Sequence, residues 1–187
     1  MKNYIKLARF KHCIKNIFIL LPLFFGHKLF DIEADIECIL GFFAFSLLSS
    51  VVYIVNDIND IENDKRHPQK RLRPIASGKI SIKNGIIYAA FLAVLSCVCA
   101  YFACRENPFS VIFLITYFVI NFMYSFGLKN YPIIDVAILA SGFLLRLLFG
   151  ASIVNIEVSS WLYLTVLSLS FYLGLGKRRN ELKRQSD

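Results

Sequence analysis

The sequence predicts an all-α protein: a polytopic bundle of transmembrane helices forming a single integral membrane domain over residues 1–187. Three observations carry that expectation. Of the 187 residues, 57% are hydrophobic, and the mean hydropathy is +0.57. Charged residues make up only 18%, against about 25% in an ordinary soluble domain, and they fall in blocks. Between the blocks lie apolar runs near the length of about 20 residues that a helix needs to cross the hydrocarbon core.

Six helices are expected in order. The first runs from Ile14 to Phe30, flanked by Lys15 and Lys28. It is followed by "HKLFDIEADIE" rather than a small-residue cleavage site, which argues against a signal peptide. The second spans Cys38 to Val55. The third runs from Asn84 to Cys104, with Ser81 as its N-cap. The fourth spans Pro108 to Leu128, the fifth Pro132 to Val154 and the sixth Val158 to Gly176. Short links make the last four antiparallel neighbours.

The bases orient the bundle. With the N-terminus in the cytoplasm, eighteen of the 21 Lys and Arg fall in cytoplasmic segments, while the outer loops hold only Lys28 and Arg105. This is the positive-inside pattern. It predicts a multi-pass protein of the cell (inner) membrane, with the N-terminus and the long loop of residues 56–83 in the cytoplasm. Nucleic acid is not the expected partner despite a net charge of +8, because the bases form neither a surface helix nor an RNA-binding signature. The five cysteines lack the short spacings of a zinc site. Their odd number, mostly within apolar runs, does not suit a disulfide framework.

The loop carries the chemistry. In "VNDINDIENDKRHPQKRLRPIASGKIS", Asn56, Asp57, Asp60 and Asp64 are spaced to share one helical face, within an arc of about 100°. Glu62 points away. Such a face needs a cation, and hard carboxylate oxygens suit Mg2+. The stretch is no EF-hand, since the alternating ligands, central Gly and closing Glu are missing. "SGKIS" is no P-loop, since its earlier Gly is absent and Ile80 replaces the required hydroxyl residue. Lys65, Arg66, Lys70, Arg71, Arg73 and Lys79 follow the acids directly. A metal–carboxylate face beside arginine forks suits a diphosphate, which both can grip.

Polar residues also enter the apolar helices. Tyr117, Asn121, Tyr124, Ser125 and Lys129 share one face of the fourth. Asp135 and Arg146 share a stripe of the fifth with Gly142, about 16 Å apart along the axis and so not directly paired. Charge at membrane depth is costly and usually lines a cavity. The sixth helix ends in the basic "LGLGKRRNELKRQSD".

These residues resemble a known family. "NDINDIENDKRHPQKRLRPIASGKIS" is similar to the first aspartate-rich motif of the UbiA-type intramembrane prenyltransferases, N-D-x-x-D-x-x-x-D followed by a basic loop and R-P-[IL]-A-x-G. "ARFKHCIKNIFILLPLFFG", "NFMYSFGLKNYPIIDVAILASGFLLRLLFGA" and "LGLGKRRNEL" look like the decaprenyl-phosphate phosphoribosyltransferase branch. Where aromatic prenyltransferases carry a second acidic motif, this chain has Lys177, Arg178 and Arg179.

The resemblance implies a UbiA-like fold with about six of the family's nine helices present. The cavity would then be open on one side, for a second copy or a complementing C-terminal fragment to close. It implies Mg2+ on Asp57, Asp60 and Asp64. Asp57, Asp60 and Asp135 would be catalytic. Lys15, Asn16, Asn56, Lys65, Arg66, Lys70, Arg71, Arg73, Tyr124, Lys129, Arg146, Lys177 and Arg178 would bind substrates. The implied reaction moves 5-phosphoribosyl from phosphoribosyl diphosphate to a polyprenyl phosphate. Two rivals are prenyl transfer from a prenyl diphosphate, which predicts the missing second acidic motif, and a transporter or lipid-binding protein, which leaves the aspartates unexplained.

Overall fold

The computed structural model describes residues 2–127 and 132–186, with the side chains of all of these except 132, 177 and 180–186. Among the described residues all regular structure is helical. In chain order it comprises α1 (Lys2–Ala8), a 3-10 helix (Phe10–Leu20), α2 (Leu21–Phe25), α3 (Ile32–Asn59), α4 (Ile61–Arg66) and a 3-10 turn (Lys70–Leu72). There follow α5 (Ile82–Ala103), a 3-10 turn (Pro108–Ser110), α6 (Val111–Ser125), α7 (Pro132–Ile153) and α8 (Ser160–Ser186).

Among the described residues, four stretches are long and apolar enough to cross a membrane: α3, α5, Pro108–Ser125 and Ile133–Ile153. The apolar part of α8, Ser160–Gly176, is shorter.

The caps explain the boundaries. The Asp31 carboxylate accepts the Glu33 N–H at 3.2 Å, and Glu33 and Asp35 sit in the first turn of α3. Carboxylates there oppose the positive end of the helix dipole, so the acidic "DIEADIE" starts a helix instead of forming a loop. Ser81 caps α5 as expected, accepting the Asn84 N–H at 3.2 Å. α7 stops where Asn155 turns left-handed (φ 51°) and the Ile156 N–H folds back to the Ala151 carbonyl at 2.9 Å.

The first expected span is the main departure. Ile14–Phe30 is not one α-helix. Arg9 takes a left-handed backbone (φ 51°, ψ 43°), which ends α1, and the chain continues as a 3-10 helix as far as Leu20. Pro22 lies at the start of α2. It has no N–H to give Phe18, and its ring would collide with that carbonyl in an α-helix. Leu21 instead bonds Phe18 in the tighter i→i−3 pattern. The result is a strap laid against α3 and α7.

α3 is the central post, packed most extensively along α5. Small residues, among them Ala44, Gly85, Ala89 and Ser96, let the helices approach closely, as is common between helices in a bilayer. The Ser96 hydroxyl donates across the seam to the Ala44 carbonyl at 2.7 Å. On the other side, the strap crosses α7 at Gly150, where a Cβ would stand only 2.0 Å from the Ile19 carbonyl oxygen. Phe45, Phe149, Ile153 and Ile19 fill the core between them.

At the far end of α3, Ile75 and Ile80 from the basic loop pack with Leu7, Ile54 and Leu92. That loop is therefore pinned to the bundle. Apolar side chains such as Phe91, Val94 and Val98 of α5 and Ile112 and Ile115 of α6 remain exposed, the surface a bilayer would cover.

Candidate functional site

Two groups of polar side chains meet at one end of α3. The first is built by the aspartate-rich stretch. The acidic face is not carried by one continuous helix: α3 ends at Asn59, Asp60 takes a non-helical conformation (φ −96°, ψ 10°), and α4 begins at Ile61. The break still brings Asp57 and Asp64 together, each 2% exposed. Arg73 Nη1 lies between them, donating to Asp57 Oδ1 at 3.1 Å and to Asp64 Oδ2 at 2.6 Å. Arg9 Nη2 makes a short ion pair with the same Asp57 oxygen. Asp60 is partly buried nearby in sequence. Asn56 accepts from the Ser125 hydroxyl at 3.1 Å, and Asn59 donates to the Ser125 carbonyl at 2.9 Å, which ties α3 to α6.

The remaining loop bases stand off. Lys65 pairs with Glu62 at 2.8 Å in the open. Arg66, Lys70 and Arg71 are exposed.

The second group lines a cavity of about 140 Å3 between the strap, α3, α6 and α7. Lys15, Tyr53, Tyr117, Asn121, Tyr124, Asp135 and Arg146 all reach it. Tyr124 donates its hydroxyl to Asp135 Oδ1 at 2.7 Å. Arg146, 5% exposed, does not snorkel. Its Nε donates to Asn16 Oδ1 at 2.6 Å, Nη1 to the Gly142 carbonyl at 2.5 Å and Nη2 to the Tyr117 hydroxyl at 3.3 Å. Its guanidinium also lies over the Phe45 and Tyr117 rings, at 4.7 and 4.9 Å. Asn16 is fixed from behind by a bond from its Nδ2 to Ser46 Oγ, at 2.7 Å.

Tyr53 joins the two groups. It lines the cavity while its ring lies 4.9 Å beneath the Arg9 guanidinium. The imidazole of His12, beside Tyr53, is held below its usual pKa, first by burial and then by Lys15 and Arg9. Lys15 in the lining and Arg9 over Tyr53 place cationic groups at this end of the cavity.

Of the residues singled out by sequence, the structure thus gathers Asp57, Asp64 and Arg73 into one cluster, and Lys15, Tyr124, Asp135 and Arg146 around one cavity with Asn16 behind it. Arg178 is partly buried on α8, and no described residue of α8 lines the cavity. Lys129 and the Lys177 side chain lie outside the described residues. Arg9 and Tyr53 were missed. Arg9 stood in the quoted "ARFKHCIKN", but its charge was absorbed into the positive-inside pattern.

A divalent cation fits the acid cluster. Two carboxylate oxygens converge on one cationic point, and Mg2+ prefers one or two carboxylates completed by water and phosphate oxygens. Among the described residues, no three acids, histidines or cysteines form a ready-made metal cage. The expected three-aspartate set is thus not preassembled, and Asp57 and Asp64 are the pair in place.

Apolar membrane-length helices enclosing a polar cavity, with a buried carboxylate–guanidinium cluster at its edge, define an intramembrane protein with a charged polar site. The chain belongs to the UbiA prenyltransferase family, whose model matches residues 18–176. It is 34% identical over 180 residues to a decaprenyl-phosphate phosphoribosyltransferase of Corynebacterium glutamicum, covering 95% of this chain and 54% of that protein. It is 33% identical to the protein of that name from Mycolicibacterium smegmatis, covering 98% of this chain and 58% of that one. An uncharacterized protein of Sinorhizobium fredii is 33% identical over 98% of this chain and 35% of its own length. The chain therefore spans between a third and three fifths of these relatives.

Among solved structures, a digeranylgeranylglyceryl phosphate synthase superposes with a TM-score of 0.75 at 24% identity, covering 95% of this chain and 60% of that one. A UbiA homolog from Archaeoglobus fulgidus bound to DMAPP and Mg2+ gives 0.70 at 21% identity, covering 90% and 60%. These likenesses establish the UbiA-type fold.

Proposed function

We propose that this chain carries the donor half of a phosphoribosyl transfer at the membrane: 5-phosphoribosyl passes from phosphoribosyl diphosphate to a polyprenyl phosphate, and diphosphate leaves. The observation that carries the reading is the buried Asp57–Arg73–Asp64 bridge beside a cavity holding both a Tyr124–Asp135 pair and the Arg146 guanidinium. Relatives named for this activity, at 31–34% identity, support the choice of substrates. The basic "GKRRNEL" supports it too, since a second acidic motif would be expected for prenyl transfer.

Asp57 and Asp64, with Asp60 joining, would hold Mg2+, which when bound neutralises and polarises the diphosphate. Asn56 steadies the turn. Arg73 and Arg9 reach the diphosphate oxygens, and Lys65, Arg66, Lys70 and Arg71 draw the donor in by their field. As the bond from ribose C1 to the diphosphate oxygen breaks, the electron pair leaves with the diphosphate, and C1 becomes electron-poor. Asp135, held by Tyr124, faces that developing positive charge. An oxygen of the lipid phosphate then bonds to C1. That phosphate is already an anion, so no proton need be removed. Lys15 and Arg146 hold it, with Lys129, Lys177 and Arg178 as further cations on the cytoplasmic side.

The second reading is transfer of a prenyl group from a prenyl diphosphate. It is favoured by the DMAPP- and GPP-bound family structures with Mg2+. Membranes containing this protein, given labelled phosphoribosyl diphosphate, Mg2+ and a polyprenyl phosphate, should yield a labelled lipid that disappears when EDTA is added and returns with excess Mg2+. Turnover of prenyl diphosphate without labelled phosphoribosyl lipid would replace the first reading with the second.

A further inference from the structure

The two buried aspartates of the acid cluster already have cationic partners. Asp57 and Asp64 are buried, and the two groups paired with them are the guanidiniums of Arg9 and Arg73. Two negative charges meet two positive ones. A free divalent cation entering this arrangement would bring two further positive charges to buried carboxylates that already have cationic partners, an expensive state. A cation arriving with a diphosphate brings its own negative charge, and the displaced guanidiniums gain phosphate oxygens to bind.

The geometry points to Arg73 as a stand-in cation on the carboxylate pair, which must swing from Asp57 and Asp64 onto the incoming diphosphate, so that the site takes up the metal–diphosphate unit and rejects the free metal. This rests on the reading of Asp57 and Asp64 as the metal face.

The local structure permits the exchange. The Arg73 backbone is anchored, because Ile75 and Ala76 just beyond it are buried (4% and 9% exposed). Ile75 fits against Gly85 of α5, where a Cβ would come within 3.2 Å of it. The side chain is different: at 24% exposed it reaches water. Motion is thus confined to side-chain rotation, and a guanidinium released from the carboxylates stays within reach of anything bound to them. Arg9 is similar at 20% exposed, but of the two carboxylates it pairs with Asp57 alone, so it acts as the lesser partner. By linkage, diphosphate must tighten metal binding by the same factor that metal tightens diphosphate.

The test measures binding, not turnover. Mn2+, which takes the same oxygen ligands as Mg2+, is titrated into the purified protein by equilibrium dialysis, with and without inorganic pyrophosphate. Wild type should retain free Mn2+ weakly and retain it at least roughly tenfold more tightly with pyrophosphate, the factor expected when about 1.4 kcal/mol of charge mismatch is relieved. Arg73→Gln should bind free Mn2+ about tenfold more tightly than wild type while losing affinity for pyrophosphate. Arg9→Gln should shift both in the same directions by less, and Arg73→Lys, which keeps the charge but loses the guanidinium fork that grips phosphate, should fall between Arg73→Gln and wild type.

If wild type binds free Mn2+ as tightly as in the presence of pyrophosphate, or if Arg73→Gln and Arg9→Gln gain nothing, the exchange is overturned while the metal face stands. The wild-type comparison decides the matter even if a variant fails to fold. If Asp64→Asn still retains Mn2+ with pyrophosphate at wild-type strength, the carboxylates are not the metal face, and both the exchange and the functional reading fall.

Discussion

Replacing Gly150 with alanine ties the fold to the site. At Gly150 the strap and α7 touch backbone to backbone: an added Cβ would lie 2.0 Å from the Ile19 carbonyl oxygen, 2.7 Å from its carbon and 2.9 Å from its Cα. No side-chain rotation relieves a clash with main-chain atoms, so strap and helix must separate by more than an ångström. Overpacking of this kind costs about 1–3 kcal/mol or more, offset by at most about 1 kcal/mol of helix propensity gained over glycine.

A net loss near 2 kcal/mol lowers the melting midpoint of a chain this size by roughly 4–8 °C. The same separation pulls Asn16 from Arg146, a bond of 2.6 Å only one turn away along α7, so acceptor affinity should fall as well. Thermal unfolding in detergent and the labelled-lipid assay read the two effects. Gly176→Ala is the control, since no atom lies within 4 Å of its would-be Cβ. An unchanged midpoint for Gly150→Ala, equal to that of the control, would refute the close crossing and the transmission drawn from it.

Four further outcomes follow from the same contacts. Asp64→Asn strips Arg73 of its shorter ion-pair partner while leaving Asp57 to it, and should cost about 1.5–3 kcal/mol of stability while lowering transfer at least roughly 100-fold, read by melting and by labelled lipid. Tyr124→Phe removes the 2.7 Å bond to Asp135; a hydrogen bond to a charged group is worth about 1.5–3 kcal/mol, so turnover should drop about 10- to 100-fold with little change in donor KM. Arg146→Lys keeps the charge but loses the fork on Asn16, Gly142 and Tyr117, and should raise acceptor KM more than donor KM. Lys65→Ala breaks only an exposed pair with Glu62 and should leave the melting midpoint unchanged.

The sequence made some elements readable and hid others, for physical reasons. α5 and α7 lie within two residues of their expected ends, because Ser81 and Pro132 punctuate uninterrupted apolar runs. The first span failed because hydropathy averages over side chains and ignores backbone type, and Arg9 and Pro22 set the backbone there.

In the site, spacing predicted the face shared by Asp57 and Asp64. It could not place Arg73 between them, since that depends on how the Pro68–Pro74 turn folds back. Arg9 lies 48 residues from Asp57 in sequence, so no local pattern could pair them. Asp135 and Arg146 were legible as costly charges on one stripe, but Tyr53, an ordinary aromatic in an apolar helix, carried no signal of its position between the two groups.

The bond between Asn16 and Arg146 closes a loop of 130 residues, and a second tie, from Lys28 to the Val154 carbonyl, closes one of 126. During synthesis the N-terminal segment emerges long before its partners do. At about 5–20 residues per second, it waits roughly 6–26 s for α7. In that interval Asn16 has only Ser46 of α3 to hold it. The N-terminal strap is therefore locked only once α7 is in place, and a fault in inserting α7 would surface far away in the sequence as a strap left accessible to protease.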